Sequence, residues 1–399
     1  MRWVWSSVLR SRRYAVILTV AAAILALAPS VCANVLTVDC SGATPGTFTN
    51  IQAAIDSLPV NSSTEPHTII VTGTCAPVSI ESRQRISIEA PVGQTATIAS
   101  ANPNATLVSI GRSRSIDFRR FVFSGGGIGL FLNQNSEATI EDLTIENTRR
   151  GILMLQNSSL ATAGNTHIRN NSSHGIELDE GSVIVLGQAT IENNIGNGML
   201  LGNGSRATIS NTTMTGNRSG VIVFQGSAAR FAVQNTIQNN SFSGVQVRDG
   251  SAVVFDGETI LDGNPQNGLG ILASKVEVRG TLKVRNNGST TFPLHNGIGV
   301  DAGGTLVLGN AAEISGNTGP GIHVRGNSVV YLSSGFPILI QNNTEEGIRV
   351  GRLALVTIFL PVTITNNPAG SIICDKTSLL SGTVANLTEV KCKNIEPAE

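Results

Sequence analysis

Aromatic residues are scarce in this chain and unevenly placed. They make up only 4% of 399 residues, with two Trp and two Tyr. Trp3, Trp5 and Tyr14 all fall in the first 33 residues, leaving Tyr331 beyond them. Sugar sites commonly stack pyranose rings on Trp or Tyr, which offer a flat apolar face and a polar edge. That platform is excluded here; Phe224 and Phe242 are the nearest substitutes. Charge is also sparse, at 14%, and balanced at 27 Lys+Arg against 27 Asp+Glu, which excludes the basic patterning of a nucleic-acid binder. One apolar run occurs near the N-terminus and no second long one follows, so a multi-span membrane protein is excluded. An apolar content of 41% excludes a disordered chain.

The apolar run has a targeting character. Arg2, Arg10, Arg12 and Arg13 precede Tyr14 to Ala28, Pro29 follows, and Val31-Cys32-Ala33 ends in small residues. This reads as a secretory signal peptide over 1–33, cleaved before Asn34. The run is shorter than the ~20 residues of a spanning helix, so no membrane span is expected after cleavage. Removing four Arg and no acid leaves 23 Lys+Arg against 27 Asp+Glu, a net charge of −4. Cys40, Cys75, Cys374 and Cys392 remain, two near each end. An even count in an exported chain reads as disulfides, and Cys40–Cys75 with Cys374–Cys392 is the economical pairing of three possible ones. No close Cys or His pairs suggest a metal site.

Between the cysteine pairs the chain repeats itself. Ile145, Ile168, Ile191, Met214, Ile237, Leu261, Val284, Ile314, Ile340 and Ile364 stand at spacings of 23, 23, 23, 23, 24, 23, 30, 26 and 24. Three residues after each comes Thr148, then Asn171, Asn194, Asn217, Asn240, Asn264, Asn287, Asn317, Asn343 and Asn367. Each unit continues with Gly-apolar-x-apolar, as in Gly175-Ile-Glu-Leu and Gly347-Ile-Arg-Val, then a small-residue corner and another alternating run. Alternation with period two means strands with one face in and one face out. Three short strands and three corners in about 23 residues form one coil of a parallel β-helix. Stacked coils stand ~4.8 Å apart, so aligned Asn amides can bond one another, and Asn tolerates the left-handed backbone of a sharp corner. The expected fold is therefore all-β: a right-handed parallel solenoid with an Asn ladder. Residues 34–84 form an N-terminal cap and first coil, 85–373 the coils, and 374–399 a C-terminal cap and tail. Thr47 or Thr49 is expected to cap a plug helix whose apolar face holds Ile51, Ala54, Ile55 and Leu58. Val390-Lys-Cys-Lys is expected to lie over the last coil.

Leu36-Thr-Val-Asp-Cys, Phe48-Thr-Asn-Ile-Gln-Ala-Ala-Ile-Asp and Thr68-Ile-Ile-Val-Thr-Gly-Thr-Cys, followed by these coils, resemble secreted bacterial β-helix proteins of the pectin lyase-like superfamily. The resemblance spans residues 35–393 and implies the fold. Its members include pectate lyases, polygalacturonases, pectin methylesterases and phage tailspikes, so it leaves function open. The polygalacturonase-like Asp-Asp pair, Asn-Thr-Asp and Arg-Ile-Lys are missing, and Ser173-His174-Gly175 is the nearest echo of Gly-His-Gly. Methylesterase-like Gln-Asp-Thr is missing too. A lyase would bring in Ca²⁺; otherwise no cofactor is expected.

The Gly-Ile-x-Leu strands supply an outward column: Leu153, Glu177, Leu200, Ile222, Gln246, Gly270, Gly299, His323, Arg349. On it two clusters are candidates. Arg150, His174, Glu177 and Asp179 lie on adjacent coils, with Glu177 and Asp179 about 7 Å apart by strand rise, a separation found between glycosidase carboxylates. Flanking Leu153, Leu200 and Ile222 would favour the protonated form of a general acid. The second cluster is Phe224, Arg248, Asp301, His323, Arg325 and Arg349, beside the inserted loop Gly288 to Asn296, and would bind ligand. These features support an exported protein, periplasmic, cell-surface or extracellular, presenting a long face to a polysaccharide. The alternatives are a lyase or hydrolase of uronic-acid-rich polymers using the first cluster, or a structural or adhesive rod. The number of subunits is left open.

Overall fold

A computed structural model describes residues 33–60, 66–291, 295–333, 335–359, 361–383, 387 and 389–396; of the segment expected to be a signal peptide, only Ala33 lies among them. The chain winds into a parallel β-solenoid. One sheet holds 14 strands in coil order, from Val78–Glu81 to Val390–Lys391. Thirteen intervals of ~4.8 Å make the stack about 60 Å long. Each coil adds one strand to this sheet and two elsewhere, as with Arg150–Met154, Ser159–Ala163 and Thr166–Arg169. In some coils the second and third strands run together across a sharp bend. Arg206–Thr215 does so at Asn211, whose φ is 49°.

The repeat's Ile positions point into the bore: Ile168, Ile191, Ile314 and Ile340 are fully buried. Five of the rare aromatics are spent here as well. Phe118, Phe121 and Phe123 meet at 5.6–6.0 Å between ring centroids, and Phe231 stacks on Phe255 at 4.9 Å.

Two neighbouring residues share the work that the sequence suggested for one Asn. The ladder Asn is buried, and its Oδ1 accepts twice from the coil before. Asn194 Oδ1 takes the Asn171 backbone N–H at 3.1 Å and its Nδ2 at 2.8 Å. The chain of amides runs on through Asn217, Asn240, Asn264, Asn287, Asn317 and Asn343 to Asn367, and Thr148 starts it by donating its Oγ1–H to Asn171 Oδ1 at 2.6 Å. The left-handed backbone belongs instead to the residue just before: Asn170, Asn193 and Asn239 at φ 55°, 55° and 51°, or Gly216, Gly263 and Gly316. This corrects the expectation that the ladder Asn itself turns the corner. Just beyond, a Cβ on Gly175 would stand 2.7 Å from the Gly198 carbonyl oxygen, so close coil approach requires glycine there.

The disulfides are Cys40–Cys75 and Cys374–Cys392, with Cα separations of 5.2 and 4.7 Å. The plug helix, Ile51–Ser57, buries Ile51, Ala54 and Ile55. Its cap is Asn50, not Thr47 or Thr49: Asn50 is the last extended residue, and its Oδ1 accepts the Ala53 N–H at 2.7 Å. At the other end Val390–Lys391 lies over the last coil. It pairs in parallel with Ile372 and Ile373, adding a last rung to the sheet.

The division of roles predicts opposite results for adjacent substitutions. Asn240→Ala strips the acceptor from Asn217 N–H and Nδ2 and should cost about 2–4 kcal/mol in urea unfolding, from the buried groups left unpaired. Asn239→Gly, at a left-handed position, should change the urea midpoint little.

Candidate functional site

Five consecutive strands of the 14-stranded sheet, Val245–Arg248, Leu269–Leu272, Ile298–Asp301, Ile322–Arg325 and Ile348–Gly351, form the site's floor. Alternation buries Val245, Val247, Leu269, Ile271, Ile298, Val300, Ile322 and Val324, so the residues between them face solvent. Pairing sets the outward row in register as expected: Gln246 opposite Gly270, then Gly299, His323 and Arg349.

Two glycines in succession leave the face without side chains over two coils. Neither has a left-handed backbone. A Cβ on Gly270 would meet nothing nearer than 3.5 Å, and one on Gly299 nothing nearer than 3.4 Å. Unlike the crowded Gly175, these positions have room for a side chain. Its absence opens a cleft of about 180 Å³ between Gln246 and Arg248 on one side and His323 and Arg325 on the other, with Asn267 and Asn296 along its length. A shallower cleft of about 390 Å³ continues from His323 and Arg325 past Arg349 and Arg352 to Asp375. Together they make a groove running along the solenoid axis.

Most of the charged groups of the groove are already engaged. Asp301 Oδ2 accepts from Arg325 Nε at 2.8 Å and lies 2.7 Å from its Nη2. Arg349 holds Glu345 at 2.7 Å and the fully buried Glu346 at 3.0 Å. Arg248 lies 5.2 Å above the Phe224 ring, a cation–π contact. Asp375 is held well below the ordinary carboxylate range, first by the Arg352 backbone N–H and then by the Ser378 and Thr377 hydroxyls. His323 is pushed down to about 4, chiefly by burial and then by Arg325 and Arg349, with Asp301 opposing.

The six residues of the expected binding cluster are thus gathered: Arg248, Asp301, His323 and Arg325 line the first cleft, Arg349 the second, and Phe224 underlies Arg248. Sequence reasoning did not single out Gln246, Gln266, Asn267 and Asn296 as contacts, although consecutive glycines in the outward column were a readable signal of a gap. Of the inserted loop, Phe292 and Pro293 lie outside the described residues.

The Arg150, His174, Glu177 and Asp179 cluster stands three rungs before Gln246, away from the cleft. Arg150 Nε is 2.6 Å from Glu177 Oε2, so an ion pair replaces the apolar setting expected around that carboxylate. His174 Nδ1 accepts the Asn197 N–H at 3.0 Å, and burial lowers its pKa. Asp179 lies past the end of the strand Ile176–Leu178, where its Oδ1 accepts the Glu180 N–H at 2.9 Å.

The right handed beta helix region family matches residues 95–232 and, in an overlapping second match, 150–308, together more than half of the chain. The protein belongs to this family. The A-module of mannuronan C-5 epimerase AlgE4 from Azotobacter vinelandii is similar in structure, at 13% identity and a TM-score of 0.54, over 90% of this chain and 96% of that one. The catalytic domain of a GH87 alpha-1,3-glucanase aligns at 14% identity and 0.46, over 91% and 68%, and the periplasmic alginate epimerase AlgG at 13% and 0.37, over 88% and 84%. At 13% identity the likeness to the AlgE4 module shows the fold alone. No curated protein matches the sequence.

The lowered value of His323 predicts a neutral imidazole at neutral pH. The folded state takes up this proton near pH 4, whereas the unfolded chain takes it up near 6.5. Stability from this group is therefore present above pH 6.5 and lost as pH falls toward 4. An NMR titration should show the His323 ring resonances unchanged from pH 8 to 5 and moving near pH 4. A midpoint near 6.5 would show a solvated, unburied ring.

Proposed function

We propose that this is an exported solenoid that binds a polysaccharide along the groove from Gln246 to Asp375. The observation that carries the reading is the glycine-floored cleft, continuous with a second one along the axis, on a strand face that fold and register hold straight. An extended polymer suits a groove that follows stacked coils. The lining has what a polyhydroxylated chain needs: amides, a neutral imidazole and arginines, with Leu272 as an exposed apolar patch. The mannuronan epimerase module that shares the fold acts on a polysaccharide, which supports the class of ligand. Two disulfides suit an oxidising compartment. Among the described residues, no helix is long and apolar enough to cross a membrane.

Binding without strong catalysis is the reading favoured by the carboxylates. Asp301, Glu345 and Glu346 are held by guanidinium groups and Asp375 by hydroxyls and a backbone N–H. A general acid or nucleophile must be free to reach its substrate, and these carboxylates already have partners within the protein.

The test is affinity electrophoresis of the purified protein in neutral and acidic polysaccharides, with and without Ca²⁺, while reducing ends and unsaturated products are followed. Retardation by at least one polymer, without product, is expected. Cleavage lost in a Glu177→Ala/Asp179→Ala variant would overturn this reading in favour of an enzyme, and no retardation by any polymer would leave only the rod.

A further inference from the structure

The notch over Gly270 and Gly299 carries more chemical information than the groove as a whole. Two consecutive glycines leave a gap about two rungs long at ~4.8 Å per rung, the length scale of one sugar residue, within a cleft of about 180 Å³. Asn267 hangs over it. This residue is nine-tenths buried, at 9% exposure, and its Nδ2 lies 3.5 Å from where a Gly270 Cβ would stand and 3.4 Å from that of Gly299. The Asn267 Oδ1 is committed, accepting from Asn296 N at 3.1 Å and Asn296 Nδ2 at 3.2 Å. This fixes the amide so that its Nδ2 looks over both glycines. Among the described residues no hydrogen bond engages that nitrogen.

The facing wall is set in the same way. Gln246 Nε2 donates to Ser243 Oγ at 2.9 Å and to Gln266 Oε1 at 3.2 Å. The two glutamines therefore keep one acceptor, Gln246 Oε1, and one donor, Gln266 Nε2, at the cleft they line. Donors and acceptors thus alternate around an uncharged floor. A sugar hydroxyl both donates and accepts, and answers each of them. A carboxylate only accepts. It would leave Gln246 Oε1 without a donor and would approach Asp301, whose charge is already balanced by Arg325 at 2.7 Å. With Arg325 already held by Asp301, a second anion beside that pair would meet like charge.

Resting on the proposed glycan-binding role, we infer that this notch is a subsite for a single uncharged sugar residue, held by Asn267, Gln246 and Gln266 over Gly270 and Gly299. The groove then selects neutral polymers, or neutral residues within mixed ones, over polyuronates. Leu272, 41% exposed at the edge of the cleft, offers the apolar contact that a ring's C–H face needs in place of an aromatic platform.

The test is titration calorimetry of the full exported chain with glucan, mannan and galactan oligomers beside polymannuronate and polygalacturonate oligomers, at 50 and 500 mM NaCl. The wild type is compared with Gly270→Leu, whose Cβ meets nothing nearer than 3.5 Å and whose side chain enters the notch, and with Asn267→Asp. A neutral oligomer is expected to bind at least ~tenfold more tightly than either uronate, with affinity changing less than about twofold across the salt range. Gly270→Leu should weaken it by at least ~tenfold at an unchanged melting temperature, since buried polar groups left unanswered discriminate strongly. Asn267→Asp, which replaces the Nδ2 donor by an acceptor, should also weaken binding. Tighter, salt-sensitive binding of a uronate that Gly270→Leu also blocks would overturn the neutral subsite while leaving the glycan-binding role intact. Binding untouched by Gly270→Leu would overturn the location, and no binding by any oligomer would overturn both.

Discussion

Most of this molecule depends on the stacking of buried asparagines at one corner of the coils from Asn171 to Asn367. A parallel solenoid has no long-range closure; each turn is held only by its neighbours. Backbone ladders fix the spacing, but they tolerate a slip of register. The ladder Asn does not. Its Oδ1 must take both the backbone N–H and the amide of the previous coil, and a slip would leave those buried donors without partners. The bore of Ile, Leu, Val and Phe supplies most of the driving force, while the asparagines make one register far better than the others.

Fixed register on the inside frees the outside. Outward positions of the 14-stranded sheet carry no structural demand beyond solubility, so their chemistry can vary coil by coil. Over most of the row that freedom is used for residues that cover the face or pair across coils, such as Arg150 with Glu177 and Asp301 with Arg325. At Gly270 and Gly299 it is used to remove side chains. A gap in a regular row becomes a cleft because the walls on either side are held by the same ladder. The site is thus positioned by a scaffold that takes no part in its chemistry.

Much of this was legible in the residues. The spacing of the Ile-x-x-Asn units gave coil count, strand order and the outward column, and the pairing of Glu177 with Leu200 or His323 with Arg349 follows that column rung by rung. The gathering of Arg248, Asp301 and Arg325 at one cleft was legible for the same reason, since a solenoid turns sequence distance into spatial adjacency. The disulfide pairing was legible from the two cysteines near each end. Other features depend on contacts that no repeat encodes. An Asn-Asn pair contains one ladder residue and one left-handed residue, and periodicity alone does not say which duty falls to which. Thr47, Thr49 and Asn50 are all competent helix caps, and the choice rests on where the backbone leaves the extended region. The Glu177 carboxylate looked apolar in its column because Arg150 reaches it sideways from the preceding coil. The glycines of the cleft were visible as letters, but only their three-dimensional neighbours separate Gly270, with room for a side chain, from Gly268, with none.

The central claim is that the glycine-floored face is where an extended glycan lies. Hydrogen-exchange mass spectrometry, with and without the tightest-binding polymer of a neutral and uronate panel, tests it most directly. Protection is expected in peptides covering 245–248, 269–272, 298–301 and 322–325, with the other two strands of those coils unchanged. Protection centred on the Arg150 to Asp179 coils, or on the opposite faces of the solenoid, would contradict it.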